Sequence, residues 1–412
     1  MSNSSTFIDN MKLPIHRWFR YSAGFSAEWV KEVIKDFDNN KSVRLFDPFL
    51  GSGTTVLAGE EYGVESLGIE AHPFILKIAE IKLLWHEDVN KFISFAMDVF
   101  EGAESMSTSL DSYPKLIYRC YNEETLISLD RLKKAWLLKN DDSGVSRLTW
   151  LALVCILRKT SSAGTAPWQY VLPNKKKKNP LQPFNAFLEQ VNTMRKDMLY
   201  FQSAVSKRRA KIFKDDARKC SKIENDSIDL VITSPPYANN YDYADATRLE
   251  MSFLGEINGW GDLHNKVRNR LIRSCSQHAS IEKLNLDDIL SNDLLISIVK
   301  DIRDVCKKLE KERFLHGGKK DYHLMVGAYF LDQAKVWKSL RRVCKKDSII
   351  CFVVGDSAPY GIYVPVDKWL GELAISSGFH SFRFEKIRDR NIKWKNRKHR
   401  IPLHEGRLWV EG

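Results

Sequence analysis

An open α/β sheet carrying a mostly helical insertion is the fold that the sequence predicts, on three observations. Residues Val43 to Thr55 read as strand, glycine turn and helix start; the run Ile228-Asp229-Leu230-Val231-Ile232 ends abruptly in Thr233-Ser234-Pro235-Pro236-Tyr237; and long stretches between them carry helical patterning. A buried strand that delivers a rigid polar turn belongs at the carboxyl edge of a sheet, where open α/β folds place their chemistry.

A helix is expected from Ser26 to Phe37, followed by the strand that ends in Phe46-Asp47. The turn Pro48-Phe49-Leu50-Gly51-Ser52-Gly53 lets backbone approach a ligand, and Thr54 or Thr55 is placed to cap a helix running through Val56 to Tyr62, with Gly63 closing it. A second strand, Ser66 to Ile69, leads to Glu70, nineteen positions beyond Gly51. An acid at that spacing suits the ribose hydroxyls of a nucleoside cofactor. The third glycine of a dinucleotide fingerprint is missing, since position 56 is Val, and Asp47 would repel a pyrophosphate. A carboxylate there suits instead the cationic amino group of a methionine moiety.

Ile117 to Leu138 and Ser146 to Arg158 read as helices, followed by a turn-rich stretch, Ser161 to Tyr170, that holds Trp168. The lysine run Lys175, Lys176, Lys177 and Lys178 beside these aromatics suits phosphates and bases, or is a solvated loop. Next comes the Ser-Pro-Pro-Tyr turn. Two successive prolines supply no N–H, so the carbonyls of Ser234 and Pro235 can face outward as acceptors, joined by the Ser234 hydroxyl. An exocyclic amine has two hydrogens to give, and the ring of Tyr237 offers a face on which a base stacks, worth roughly 1–3 kcal/mol. Cofactor and base sites on one sheet imply methyl transfer. Asp242 serves either as proton acceptor or as a helix cap. A block from Gly255 to about Lys320 contains the basic run Lys266 to Arg273, with Arg268 and Arg270, and a third basic segment, Lys386 to Arg400, holds Lys393, Lys395 and Arg397.

These residues resemble the S-adenosylmethionine-dependent amino-methyltransferases of DNA. D-P-F-x-G-S-G-T looks like the family's cofactor motif, and T-S-P-P-Y like its catalytic motif in the form associated mainly with N4-cytosine modification; adenine-N6 members more often carry Asp or Asn in place of Ser234. His16-Arg17-Trp18-Phe19 with Gly24 to Glu28 is similar to the segment that closes over the methionine end of the cofactor, and Asp216-Ala217-Arg218 to the position that contacts its adenine. Ile349 to Asp356, Gly378-Phe379 and Leu408 to Val410 look like the closing part of the sheet. The resemblance thus covers about half the chain and implies a Rossmann-like seven-stranded methyltransferase sheet with a mostly helical inserted target-recognition region. It assigns catalysis to Ser234, Pro235, Pro236 and Tyr237. It assigns S-adenosylmethionine to Phe25, Ser26, Asp47, Pro48, Phe49, Gly51, Gly53, Thr54, Glu70, Asp216 and Ala217. Double-stranded DNA would lie against Trp168, Lys175 to Lys178, Arg268, Arg270, Lys393, Lys395 and Arg397. The expected organisation is 1–100 for the first part of the core, 101–210 for the helical insertion that probes DNA, 211–254 for the catalytic loop, 255–320 for a second variable insertion, and 321–412 for the closing strands.

Composition agrees. Lys and Arg number 64 against 52 Asp and Glu, a net charge of +12 and a pI near 9.2, which favours a polyanionic partner. The seven cysteines form no C-x-x-C pair and no metal spacing, so no metal site is expected, and the absence of a Pro-Cys dipeptide leaves covalent C5-cytosine chemistry unsupported. The longest apolar stretch, Leu148 to Leu157, is too short to cross a bilayer, so a soluble cytoplasmic protein without a membrane partner is expected. The expected activity is site-specific methylation of cytosine N4 in duplex DNA, alongside a separately encoded restriction endonuclease. Adenine-N6 methylation, methylation of structured RNA and a catalytically silent DNA-binding module are the alternatives.

Overall fold

The computed structural model describes residues 7–21, 24–37, 43–166, 169–205, 210–239, 241–281, 284–390 and 402–412. Trp168, Lys393, Lys395 and Arg397 lie outside them. The first half of the core is α1 (Ala27–Phe37), β1 (Arg44–Asp47), α2 (Thr54–Tyr62), β2 (Glu65–Glu70) and α3 (Pro73–Lys82). A helical body follows: α4 (Val89–Glu104), α5 (Lys115–Cys120), α6 (Glu123–Lys139), α7 (Gly144–Thr160), the hairpin β3 (Ala163–Thr165) and β4 (Val171–Lys176), and α8 (Pro183–Ala204). The chain returns to the sheet through β5 (Ala210–Lys214) and β6 (Ile228–Thr233). Beyond the Ser-Pro-Pro-Tyr turn come α9 (Arg248–Phe253), α10 (Trp260–Lys266), α11 (Ser276–Ile281), α12 (Leu286–Leu290), α13 (Val299–Leu315) and α14 (Tyr322–Val343). The closing part is β7 (Cys344–Gly355), α15 (Val366–Ser376), β8 (Ser381–Arg390) and β9 (Leu403–Glu411).

Seven strands form one sheet in the order β5-β2-β1-β6-β7-β9-β8. The first five are parallel, whereas β9 runs antiparallel to both of its neighbours. The fold is the expected Rossmann-like α/β sheet. Side chains alternate across it with period two. Leu45, Leu230, Ile232, Cys351 and Val353 face α1 and α2, while Phe46, Val231, Ile350, Phe352 and Val354 face α14 and α15. Trp337 of α14 stacks on Phe352 with ring centroids 4.5 Å apart. All seven cysteines are buried free thiols. Strand order reverses at β1, which has β2 on one side and β6 on the other, so the crevice at the carboxyl ends of β1 and β6 is the switch point at which such sheets bind ligands.

Three local expectations change. The stretch Ile117 to Leu138 is two helices, because Tyr121 is extended and the Asn122 side chain accepts from Thr125 N, starting α6 afresh. Ser161 to Tyr170 is not wholly turn, since Gly164 and Thr165 pair with Leu172 and Val171. Neither Thr54 nor Thr55 caps α2. Gly53, at φ 92°, takes the cap position in a left-handed conformation that disfavours any other residue, and Thr55 spends its hydroxyl elsewhere.

The helical body is fastened to the segment after the catalytic turn by buried ionic contacts. Arg158 of α7 pairs with Glu250 of α9 through Nε–Oε1 at 2.5 Å and Nη2–Oε2 at 2.9 Å, and also donates to the carbonyls of Gln169 and Ala246. No helix among the described residues is long and apolar enough to cross a membrane.

Candidate functional site

Asp47 ends β1 with its carboxylate almost wholly buried, and three donors converge on it. Thr233 Oγ1 lies 2.5 Å from Oδ1, Phe49 N 3.0 Å from Oδ1, and Thr55 Oγ1 2.6 Å from Oδ2. Thr233 is the first residue of the Thr-Ser-Pro-Pro-Tyr turn, so one carboxylate ties the glycine turn, the start of α2 and this second turn together. Burial pushes its pKa up to about 6 against the pull of those hydrogen bonds. Expected to face a methionine amino group, Asp47 is instead 1% exposed, with three of its acceptor sites taken by donors of the chain.

Glu70, at the end of β2, accepts from Gly51 N at 2.8 Å through Oε2 and from His72 N at 2.8 Å through Oε1. Each oxygen keeps a further lone pair for a hydroxyl. A narrow pocket opens beside it, lined by Pro48, Phe49, Gly51 and Glu70 on one side and by Asp216, Ala217, Ser234 and Pro236 on the other. The turns after β1, β2, β5 and β6 therefore meet at one crevice. Gly53 and Thr54 stand back from it at the start of α2. The acceptor pair of Glu70 and the open backbone around Gly51 fit the ribose of a nucleoside cofactor, and Asp216 stands across the crevice as a further acceptor. The Asp216 carboxylate is also gripped by Arg218, through Nε at 3.0 Å and Nη2 at 2.8 Å.

Burial raises Glu70 to about 7, which gives two opposite pH dependences. The folded chain holds this proton more tightly than the unfolded one, so its contribution to stability is greatest below the usual glutamate range and declines as pH rises through about 7. Ribose hydroxyls need the ionised carboxylate, so cofactor affinity is expected to rise over the same interval. Titration calorimetry with S-adenosylmethionine between pH 6 and 8 should show tighter binding at pH 8 in the wild type and a flat profile in Glu70→Gln; a flat wild-type profile would remove Glu70 from the ribose.

Ser234 lines the pocket and donates its hydroxyl proton to Val353 O at 3.1 Å, leaving the oxygen lone pairs to accept. Pro235 is buried and Pro236 faces the pocket. Tyr237 N bonds to the Tyr243 hydroxyl at 3.3 Å, and burial holds the Tyr237 phenol above its ordinary pKa, hence neutral. Asp242 neither caps a helix nor stands free. It lies in a buried pair with Arg268, Nε–Oδ2 2.9 Å, and accepts from Ala244 N. Arg268 is consequently 3% exposed and unavailable to a DNA phosphate in this arrangement. Arg270 is exposed but turns to the rim of the narrow pocket beside Glu70.

Phe25 and Ser26 stand away from the pocket: Phe25 packs edge-on against Trp29, with centroids 5.7 Å apart, and Ser26 Oγ accepts from Trp29 N. Among the described residues of that segment, Tyr21 reaches the pocket wall. Tyr21, His72 and Tyr243 were missed, because a lone aromatic or imidazole carries no spacing signal. His72 bonds through Nε2 to Thr247 Oγ1 at 3.0 Å, and burial lowers its pKa to about 3, so it is a neutral ring.

On the far side of the Ser-Pro-Pro-Tyr turn a cleft of about 810 Å³ opens between Asn239, Tyr241 and Asp242, Tyr170, the tip of α13 and the turn Ala358 to Gly361. Tyr170, which leads into β4, takes a hydrogen bond from Asp242 N. Lys175, Lys176 and Lys178 project from the same hairpin into solvent, whereas the Lys177 amine donates to Lys159 O at 2.9 Å, at the end of α7. Among the described residues no cluster of His, Cys, Asp and Glu could hold a metal ion.

Residues 3–81 match the family model of a DNA methylase, a span that includes the N-terminal segment, the glycine turn and Glu70. The chain is 26% identical to the type II methyltransferase M.BsoBI of Geobacillus stearothermophilus, over 92% of this chain and 82% of that one. It is also 26% identical to the type II methyltransferase M.AvaI of Nostoc sp. strain PCC 7120, over 91% and 81%. A shorter stretch of 96 residues, 23% of this chain and 18% of the other, is 32% identical to the type II methyltransferase M.MjaII of Methanocaldococcus jannaschii. No solved structure matches the chain.

Proposed function

The chain belongs to the S-adenosylmethionine-dependent DNA amino-methyltransferases, and from that premise we propose that it methylates the exocyclic N4 of cytosine in duplex DNA, as the modification half of a type II restriction pair. The carrying observation is the state of Ser234, whose proton is committed to Val353 O so that its oxygen presents only lone pairs. That oxygen and the Pro235 carbonyl accept the two hydrogens of an amine, and the nitrogen lone pair is left to face the pocket where Glu70 would hold the ribose.

When bound, S-adenosylmethionine would supply a methyl group on a sulfonium, which the amine nitrogen would take with S-adenosylhomocysteine as the leaving group. The residues of this chain supply position. Extrusion of the base from the duplex costs a few kcal/mol, and stacking on Tyr237 offsets part of that. Positive charge that builds on the nitrogen falls between the Ser234 and Pro235 oxygens, where fixed dipoles stabilise it. Asp242, paired with Arg268, shapes the loop, and the proton passes to solvent after transfer. The lysine-bearing hairpin, joined to the catalytic loop through Tyr170 and Arg158, supports the helical body as the part that probes DNA; the exposed Lys175, Lys176 and Lys178 are its phosphate contacts.

Nucleoside mass spectrometry of DNA from a methylation-deficient host expressing the protein tests this reading. N4-methylcytosine is expected with the wild type, and in Tyr237→Ala at a level lowered by about 10–100-fold, the equivalent of one lost stacking contact of ~1–3 kcal/mol. N6-methyladenine would keep the mechanism and reassign the base. Methylated RNA with unmodified DNA would overturn the substrate.

A further inference from the structure

Arg390 ends β8 at the carboxyl edge of the sheet, in register with Leu403. Its guanidinium carbon lies 5.2 Å from the centroid of the Tyr237 ring. Nη1 donates to the Asp356 carbonyl at 2.9 Å, Nε stands 3.9 Å from Glu405 Oε2, and the side chain is 17% exposed. The ring it lies over is the one assigned to base stacking above. A guanidinium is flat, polarisable and weakly hydrated, and stacks on an aromatic face much as a base does.

We propose that Arg390 holds the base-stacking face of Tyr237 in the DNA-free protein and that the extruded target base takes its place; the inference rests on the methyltransferase reading given above. The arrangement keeps a half-buried aromatic covered until substrate arrives, and it makes base entry an exchange of partners on one ring. The hydrogen bond to Asp356 O and the loose approach to Glu405 are contacts that a guanidinium can give up, since each can be replaced by water at this open edge. Gly355 fixes how closely the arginine can lie, because a Cβ at that position would come within 2.5 Å of Arg390 Nη1. Arg390 thus occupies the ring until the base displaces it, and is distinct from the groups that touch the transferred methyl.

Two variants displace the guanidinium by different routes. Arg390→Ala removes it, and Gly355→Ala crowds it off the ring while the charge is kept. Steady-state methylation of unmethylated phage genomic DNA with the full-length protein should show KM for DNA lowered by about 2–5-fold in both, the size of one exposed cation–π contact, with kcat little changed. The dissociation constant for S-adenosylmethionine, measured by calorimetry, should equal that of the wild type, which also certifies the fold. A KM that rises in Arg390→Ala and is restored by Arg390→Lys would make Arg390 a phosphate contact and overturn the proposal. Kinetics unchanged in both alanine variants would overturn it as well. If the wild type itself transfers no methyl to this DNA, the underlying reading fails and Arg390 loses its role with it, a result seen before any variant is made.

Discussion

Replacing Asp47 by alanine is expected to abolish cofactor binding and methyl transfer together, although Asp47 itself does not line the pocket. Its carboxylate takes three hydrogen bonds, from Thr233, Thr55 and Phe49 N. Each bond to a charged group contributes about 1.5–3 kcal/mol, and a buried donor left without a partner costs about 1–3 kcal/mol. Loss of even half of this total is worth about 10³-fold or more at 1.4 kcal/mol per tenfold. The two turns would lose the carboxylate they share and would be left with the Thr55 Oγ1 contact to Ile232 O at 3.3 Å and the β1–β6 pairing behind them. Thr233→Val removes one of the three bonds and should weaken turnover by about tenfold, with the cofactor still bound. Calorimetry on the three proteins gives the check: near-normal S-adenosylmethionine affinity in Asp47→Ala would show that the turns are held by their own packing.

The second large effect concerns stability. Glu250→Ala leaves Arg158 with its charge in a buried setting and without its carboxylate, which costs about 3–5 kcal/mol. Thermal unfolding should move down by several degrees or more, at roughly 2–4 °C per kcal/mol for a domain of 150–250 residues. Because Arg158 also holds the Gln169 and Ala246 carbonyls, the loss should fall on the hairpin and on α9, and reach the catalytic loop through Tyr170. The double change Arg158→Met with Glu250→Leu removes both charges and should recover much of the stability, though not the orientation of the hairpin. A Glu250→Ala protein that melts within a degree of the wild type would show that water reaches Arg158.

The sequence made the turns legible because each carries a rigid local code. Glycines, paired prolines and an acid at fixed spacing place Gly51, Glu70 and Ser234 around one crevice wherever the rest of the chain goes. What stayed hidden depends on which side chains tertiary packing brings together. Asp47 looked like a ligand group because nothing local reveals that Thr55 and Thr233 will converge on it from α2 and β6. Arg268 looked like a DNA contact because its partner Asp242 lies 26 positions earlier. Tyr21, Tyr243 and Arg390 reach the site from three separate parts of the chain, and Arg390 from a strand that closes the sheet on its far side. The helix break at Tyr121 was written in Asn122, a common cap, but the apolar pattern on both sides outweighed it.

The burial of all seven thiols has a practical side. Burial pushes Cys155, Cys275, Cys306 and Cys344 up to about 12, and Cys120 to about 11, so at neutral pH almost none of the reactive thiolate exists and oxidants or alkylating reagents find little to attack. Each cysteine becomes a clock that starts only when its own surroundings open. Cys155 sits in the helical body, Cys306 in α13, and Cys351 in β7 of the sheet, so the order in which a maleimide labels them would map which part of the molecule loosens first.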